Sequence, residues 1–372
     1  MIRLLPVALV LSCGTTPPAG PTPSSPPPGS LPGFSGSVVP GPSPMPTLAP
    51  AFVEFRDFSQ FTTQNGALVS PVVATDKPFR EVVASWNADT PAGTWIEVDL
   101  RVRVAGAWSG DYILGIWTSQ DDLAHRHSVN GQTDALGTVD TDTLRLTSAA
   151  DAWQVLVKLS GAAHLRMVSA ITSDPTATPA ALPPLPSAYG VAADVPQRSQ
   201  MVYPNGGEVW CSPTSTSMLL AFWGTNESVP NAASACNDPS WGGTGNWPFN
   251  TAHAAAAGGD AMEAFVTRLS RIEQLERLTA AGFPVAASIS FSRGELDGAP
   301  INSTAGHLIV VRGFDASGNV MVNDPAGPSD SQVRYTYQRA QFDAAWAHSG
   351  RTIYVVHPLA RPLPRDGSLG AW

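Results

Sequence analysis

The sequence predicts an α+β domain preceded by an all-β sandwich or jelly-roll-like domain, and three observations carry that expectation. Apolar residues alternate with a period of two before the Pro/Ala-rich stretch Ser173 to Gly190, helical and strand-like patterns mix after Asp194, and proline-rich segments divide the chain. In the second part the helix-rich segments come first and the strand-rich ones later, which suits two halves with a cleft between them.

A chain of 372 residues, 43% apolar and 14% charged, is long enough for two domains with real cores. Its net charge of −9, with 21 Lys+Arg against 30 Asp+Glu and no basic run to track phosphates, excludes nucleic acid as an expected partner. The opening "MIRLLPVALVLSCGTTPPAG" places one Arg before an apolar stretch, Leu4 to Leu11, then a small residue and a cysteine, the layout of a secretory signal. That stretch is too short to span a bilayer. Val10-Leu11-Ser12-Cys13 resembles a bacterial lipobox, and the resemblance implies that residues 1–13 form a lipoprotein-type signal peptide with Cys13 acylated. The expected product is exported and held at a membrane through lipid, as an envelope or extracellular protein. The alternative is a short signal cut elsewhere, with Cys13 discarded.

Residues 14–50, rich in Pro, Ser and Gly, cannot bury enough apolar surface to fold and are expected to form a tether. Residues 51–172 form the expected β domain. In "GTWIEVDLRVRVAG", Ile96, Val98, Leu100 and Val102 alternate with Glu97, Asp99, Arg101 and Arg103, as on a half-buried antiparallel strand; "DYILGIWTS", "DTLRLTS" and "WQVLVKLSG" repeat the pattern. Most of Trp86, Trp95, Trp108, Trp117 and Trp153 are better explained as core than as a carbohydrate-binding surface. Residues 173–193 are a linker, 194–360 the second domain, and 361–372 a tail.

In the second domain, helices are expected at Pro213 to Trp223, about Asn250 to Ala257, Arg271 to Ala281 and Gln338 to Ala347. Strands are expected in "EAFVTRL", "FPVAASISF", "HLIVVRGF", "NVMVND" and "RTIYVVHP". Ser212 as N-cap and Pro213 at the first helical position would set Cys211 just ahead of a helix, where free N–H groups and the helix dipole favour a thiolate. A thiolate needs a base. His307 opens an apolar strand behind a glycine; if Phe314 pairs with Asn319 across the following turn, Ile309 lies opposite Asp324, and Asp324 falls diagonal to His307 on the same face. Cys211, His307 and Asp324 would then be nucleophile, base and orienter. The rival histidines, His253, His348 and His357, read as structural or solvated, and His125, His127 and His164 lie in the strand domain. Gln200, nearer Cys211 than Gln197 is, could join the Cys211 N–H as oxyanion donor. A disulfide between Cys211 and Cys236 is the competing expectation for an exported chain.

Val195-Pro196 through Gln200, Trp210-Cys211-Ser212-Pro213-Thr214-Ser215, Gly306-His307 and Asn323-Asp324-Pro325 resemble bacterial cysteine peptidases related to the bacteriocin-processing, double-glycine leader peptidases, which share a papain-like fold. The likeness runs from about Asp194 to Pro358. It implies Cys211 as nucleophile, His307 as base, Asp324 as orienter and Gln200 as oxyanion donor. Many relatives have glycine where this chain has Ser212, and the interval from Gln200 to Cys211 is longer than in leader-processing members. The transporter segments that accompany those members are absent from the sequence, so double-glycine leaders are not the implied substrate. "GGTGNWPFNTAHAA" also resembles a family segment near the cleft, without an assigned role.

The expected function is an exported cysteine peptidase acting on peptide or protein substrates, with no cofactor. HExxH, paired CxxC and phosphate-loop signatures are missing, so no metal is expected. A cell-wall amidase or acyl-transfer enzyme with the same triad, acting on cell-wall peptide, and a non-catalytic surface binding protein are the alternatives.

Overall fold

The computed structural model describes residues 51–365 and Leu369; Cys13, the expected signal and the tether lie outside the described residues. The first ten strands are β1 (Ala51–Phe55), β2 (Thr62–Gln64), β3 (Ala67–Val69), β4 (Val73–Asp89), β5 (Ile96–Val104), β6 (Ala107–Trp108), β7 (Tyr112–Trp117), β8 (Gly137–Asp140), β9 (Thr143–Leu159) and β10 (His164–Ser173). They form one antiparallel sheet whose main order is β1-β10-β4-β9-β3-β2, while β5 and β8 also pair with β9. The sheet curls on itself, because β4 and β9 are each 17 residues long and β4 breaks register against β9 around Phe79. Such irregularities bend a strand, so one sheet supplies both walls of the core.

Ile96, Val98, Leu100 and Val102 all point inward, fully buried, as the alternation predicts. Asp99 departs from it. It is buried on the opposite face against Lys158 at 3.0 Å, and burial raises its carboxyl to about 6. Trp86, Trp117 and Trp153 are core; Trp108 is exposed beneath Arg101 and Arg103.

The second part contains β11 (Val191–Ala192), α1 (Cys211–Phe222), α2 (Val229–Cys236), α3 (Trp247–Gly258), β12 (Met262–Arg268), α4 (Ile272–Ala280), β13 (Val285–Phe291), β14 (Thr304–Phe314), β15 (Val320–Asn323), β16 (Arg334–Tyr337), α5 (Arg339–Ala347) and β17 (Thr352–Pro358). Six strands form an antiparallel sheet in the order β12-β17-β13-β14-β15-β16, with β11 added to β14. The helices α1, α3, α4 and α5 pack on these strands, and α2 packs on α1 and α3. α2 was not among the expected helices. Its signal is Ser228 as N-cap, accepting from the Asn231 N–H at 3.3 Å, with proline in the first turn. The linker is strapped to α4: Leu185 N–H donates to Glu276 Oε2 at 2.7 Å, and the Arg271 guanidinium to the Pro179 carbonyl at 2.6 Å.

The curled sheet and the second sheet share their cores. Phe249 and Ala252 of α3 sit in the first core, Phe249 against Trp117 with ring centres 5.3 Å apart; Phe52, Val83, Met167 and Ile171 enter the second. β12 is the edge of its sheet, and an edge presents unpaired backbone groups. Side chains of β4 satisfy them. Asn87 donates to the Ala264 carbonyl at 2.7 Å and accepts from its N–H at 3.2 Å, and Ser85 Oγ accepts from Val266 N–H at 2.8 Å. Ser85→Ala leaves one buried N–H unpaired and should lower the unfolding free energy by about 1–3 kcal/mol, read from the denaturant midpoint at unchanged m-value.

Candidate active site

α1 begins at Cys211 itself. The expected cap, Ser212, is instead the second helical residue, and its hydroxyl pairs with Tyr354 Oη at 2.9 Å; Trp210 is the cap residue, and Thr214 N–H already donates to its carbonyl at 3.0 Å. Pro213 falls inside the first turn, where its missing N–H costs nothing. The correction moves Cys211 deeper into the positive end of the helix. Its own N–H is among the first-turn donors without an intrahelical partner.

β14 runs beside that turn. Ser215 Oγ donates to the Leu308 carbonyl at 2.9 Å, fixing α1 against the strand one residue beyond His307. His307 Nε2 lies 2.7 Å from Asp324 Oδ1, and both are almost completely buried, at 3% and 1% exposure. That leaves Nδ1 for Cys211, which is hydrogen-bonded to the ring and to the Leu308 N–H. Asp324 accepts two further bonds, from Ala326 N–H at 2.9 Å and from Tyr337 Oη–H at 2.7 Å.

The register that joins His307 to Asp324 holds for an unexpected reason. Phe314 pairs with Val320 rather than Asn319, and an irregularity at Arg312 between Val311 and Gly313 restores the frame, so that Val310 faces Asn323. Asp324, one residue beyond β15, therefore follows opposite Ile309 as expected. Gly313 serves a separate constraint: a Cβ there would collide with the Val191 carbonyl of β11.

Electrostatics at the cluster oppose burial. Burial disfavours the Cys211 thiolate, but His307 and the Leu308 N–H outweigh it and bring the thiol below its ordinary value. Burial likewise disfavours imidazolium, yet Asp324 and the sulfur push His307 up to about 10. Asp324 stays below the usual carboxylate range despite burial, because His307, Tyr337 and the Ala326 N–H favour its charge.

Gln200 is buried. Its backbone N–H donates to the Pro325 carbonyl at 2.9 Å and its side-chain Nε2 to the Glu208 carbonyl at 2.8 Å. An amide nitrogen carries a second N–H beyond the one given to Glu208. Gln197 is half-buried. Cys236 is a free, buried thiol, and so is not bridged to Cys211, also free and partly exposed. Burial raises Cys236 far above an ordinary thiol.

His357 and His348 have other partners, and His253 is set apart by burial. His357 lies 3.2 Å from Glu263 on β12, His348 Nδ1 bonds the Ser290 carbonyl at the rim of an open depression, and buried His253 is pushed down to about 4 by burial and by Arg126. Tyr337 escaped sequence reasoning: β16 is four residues long and mostly polar, and only the stacked pair Tyr335/Tyr337 hints at a buried face.

Residues 192–354 match the family model described as the Peptidase_C39 like family. This region belongs to the C39-like peptidases. Residues 50–173 match the model described as the Peptidase C39 N-terminal domain, so the curled sheet too has its counterpart beside C39 peptidases. A solved structure from Bacillus anthracis, described as a candidate C39-like peptidase, is 21% identical over 45% of this chain and 97% of its own, with a TM-score of 0.35. No curated protein matches. The C39-like region has the papain-like α+β organisation, a helix led by cysteine against an antiparallel sheet that carries the histidine. Among the described residues no group of three His, Cys, Asp or Glu side chains is arranged to hold a metal, and no helix is long and apolar enough to cross a membrane.

Proposed function

We propose that the chain is an exported cysteine peptidase that cleaves peptide bonds through a thioester at Cys211. The carrying observation is the continuous hydrogen-bonded series from Cys211 through His307 to Asp324 and Tyr337. In this reading the Cys211 sulfur attacks the peptide carbonyl carbon, and the oxyanion gathers at the Cys211 N–H and the spare N–H of Gln200. His307 Nδ1 gives its proton to the leaving amine as the C–N bond breaks. The ring then takes a proton from water, the hydroxide displaces sulfur, and acid and thiolate are regenerated. Asp324 keeps the ring oriented and charged, and Tyr337 keeps Asp324 ionised.

The testing experiment is the pH dependence of Cys211 alkylation, followed by mass spectrometry, with Cys236 as internal control. Cys211 should react well below the free-thiol pKa of about 8.5, His307→Ala should move its reaction into the ordinary thiol range, and Cys236 should stay unmodified in the folded chain. An unreactive Cys211 would leave the surface-binding alternative in possession. Peptides and murein assayed side by side separate a peptidase from a cell-wall amidase using the same residues.

Export and anchoring through Cys13 belong to the same proposal, supported by the signal layout and the Val10-Leu11-Ser12-Cys13 resemblance. Cys13→Ser should shift the protein from detergent to aqueous phase on partitioning; an unchanged distribution in the variant refutes the anchor.

A further inference from the structure

The loop 237–246, between α2 and α3, is held on one side by the curled sheet's domain and on the other by the segment that leads into Cys211. Asp238, fully buried, accepts from the N–H groups of Ser240 at 3.1 Å and Trp241 at 3.3 Å within the loop, and from Ser128 at 3.1 Å across the domain seam. Buried Arg126 donates to the carbonyls of Asn237 at 3.2 Å and Ser234 at 2.9 Å, and Asn130 donates to that of Ser240 at 2.7 Å. Opposite these, Thr244 Oγ1 donates to the Val209 carbonyl at 3.3 Å, two residues before Cys211.

The large side chain the loop displays is apolar. The Trp241 ring lies on Gly243 and Gly245, where a Cβ would come within 2.8 and 2.5 Å of it, and the residue is 49% exposed. Val209 is 63% exposed, and Met201 and Val202, which directly follow Gln200, are 46% and 45% exposed. These are four of the nine strongly exposed large apolar residues among those described, and all four sit on the segments bearing Cys211 and Gln200 or on the loop bonded to them. Exposed apolar side chains on the segments that bear a reactive residue call for an occupant.

We infer that Trp241, with Val209, forms a subsite for a bulky apolar side chain of the peptide substrate close to the bond attacked, and that Arg126, Ser128 and Asn130 position the loop that carries it. The inference rests on Cys211 being the nucleophile. A rigid indole offers a large flat contact at small entropic cost, and the glycines beneath it let the ring lie against the backbone. The curled sheet thereby contributes to selectivity without touching substrate, and the glycine-rich segment "GGTGNW" gains its role.

The test labels the full chain at Cys211 with iodoacetamide and with two peptidyl chloromethyl ketones of equal length, one carrying Phe and the other Ser in the two positions nearest the reactive carbon. Wild type should react about ten-fold faster with the Phe reagent. Trp241→Ala and Gly245→Ala, the latter displacing the indole while keeping it in the chain, should erase the preference, and Asn130→Ala should reduce it, all with unchanged iodoacetamide rates. Equal rates for the two peptide reagents in wild type, with normal iodoacetamide reaction, overturn the subsite and leave the nucleophile standing. Failure of Cys211 to react with any of the three overturns both.

Discussion

Replacing His307 with alanine should lower kcat/KM for peptide hydrolysis by about 10⁴-fold, because it removes the counter-ion of the thiolate and the acid for the leaving amine together. Asp324→Asn separates those functions. The amide oxygen can still accept from Nε2–H and from Ala326 N–H, and Tyr337 Oη can turn to accept from the new NH₂, so the orientation survives. The carboxylate charge does not survive. Asp324 is what lifts His307 to about 10 against burial, so without it burial prevails and the imidazolium loses its proton at lower pH. The alkaline limb of the pH–rate profile should therefore move down from near 10. On the acid limb two changes oppose each other, since a weaker imidazolium makes the thiolate harder to form while the lost Asp324 charge had itself disfavoured it, so that limb should move less than the alkaline one. A narrowed profile with its maximum rate reduced less than in His307→Ala is the expected result, measured from pH 4 to 11. An Asp324→Asn profile with unmoved limbs would show that the carboxylate does not set the charge of the pair.

The stability linkage has its own sign. The folded-state value of Asp324 is depressed, so its contribution is present above the unfolded carboxyl pKa and is lost as pH falls through the folded one. His307 is raised, so its contribution is full below the unfolded imidazole pKa of about 6.5 and is lost as pH rises through about 10. The cluster thus supports the fold best in the neutral range, where the proposed ion pair also exists.

The cysteine-led helix, the histidine strand and the carboxylate after the hairpin were legible because each lies in an element with a strong local signal. An apolar stripe bounded by Gly224 marks α1, and an unbroken apolar run marks β14. The register was reached by a cancellation: a turn one residue longer than supposed and an irregularity at Arg312 offset each other, and nothing in an apolar run marks where a strand will bulge. Tyr337 was invisible because a four-residue strand has too little periodicity to betray its inward face. The seam was invisible for a different reason. Ser85 and Asn87 read as ordinary polar alternates on a strand, and only the arrival of β12, some 180 residues later in the chain, gives them backbone groups to satisfy. Polar residues that complete another element's hydrogen bonding carry no pattern of their own.

That seam sets the second large effect. Glu81→Ala should destabilise the protein by about 3–5 kcal/mol. Glu81 of β4 bonds Arg268 of β12 through one carboxylate oxygen and Arg145 of β9 through the other, and both Glu81 and Arg268 are buried. Removing the acid leaves the Arg268 guanidinium hydrogen-bonded only to neutral groups, Ser173 Oγ at 2.7 Å and Thr352 Oγ1 at 3.3 Å, with the Asp142 carboxylate the remaining charge it feels. Glu81 and Arg268 line a depression with Ser173 and Asp174, so an unpaired charge there draws water into the contact between β4 and β12. Because the cores interpenetrate through Phe249, Val83 and Met167, opening that contact exposes apolar surface on both sides. Loss of stability should therefore appear as one earlier transition for the whole folded region, with fluorescence and far-UV signals coincident, rather than as melting of the curled sheet alone. The double variant Glu81→Ala with Arg268→Met should recover most of the loss, since an apolar side chain needs no counter-charge. If the double variant is no more stable than Glu81→Ala, the penalty comes from lost packing at β4 instead of from the stranded charge.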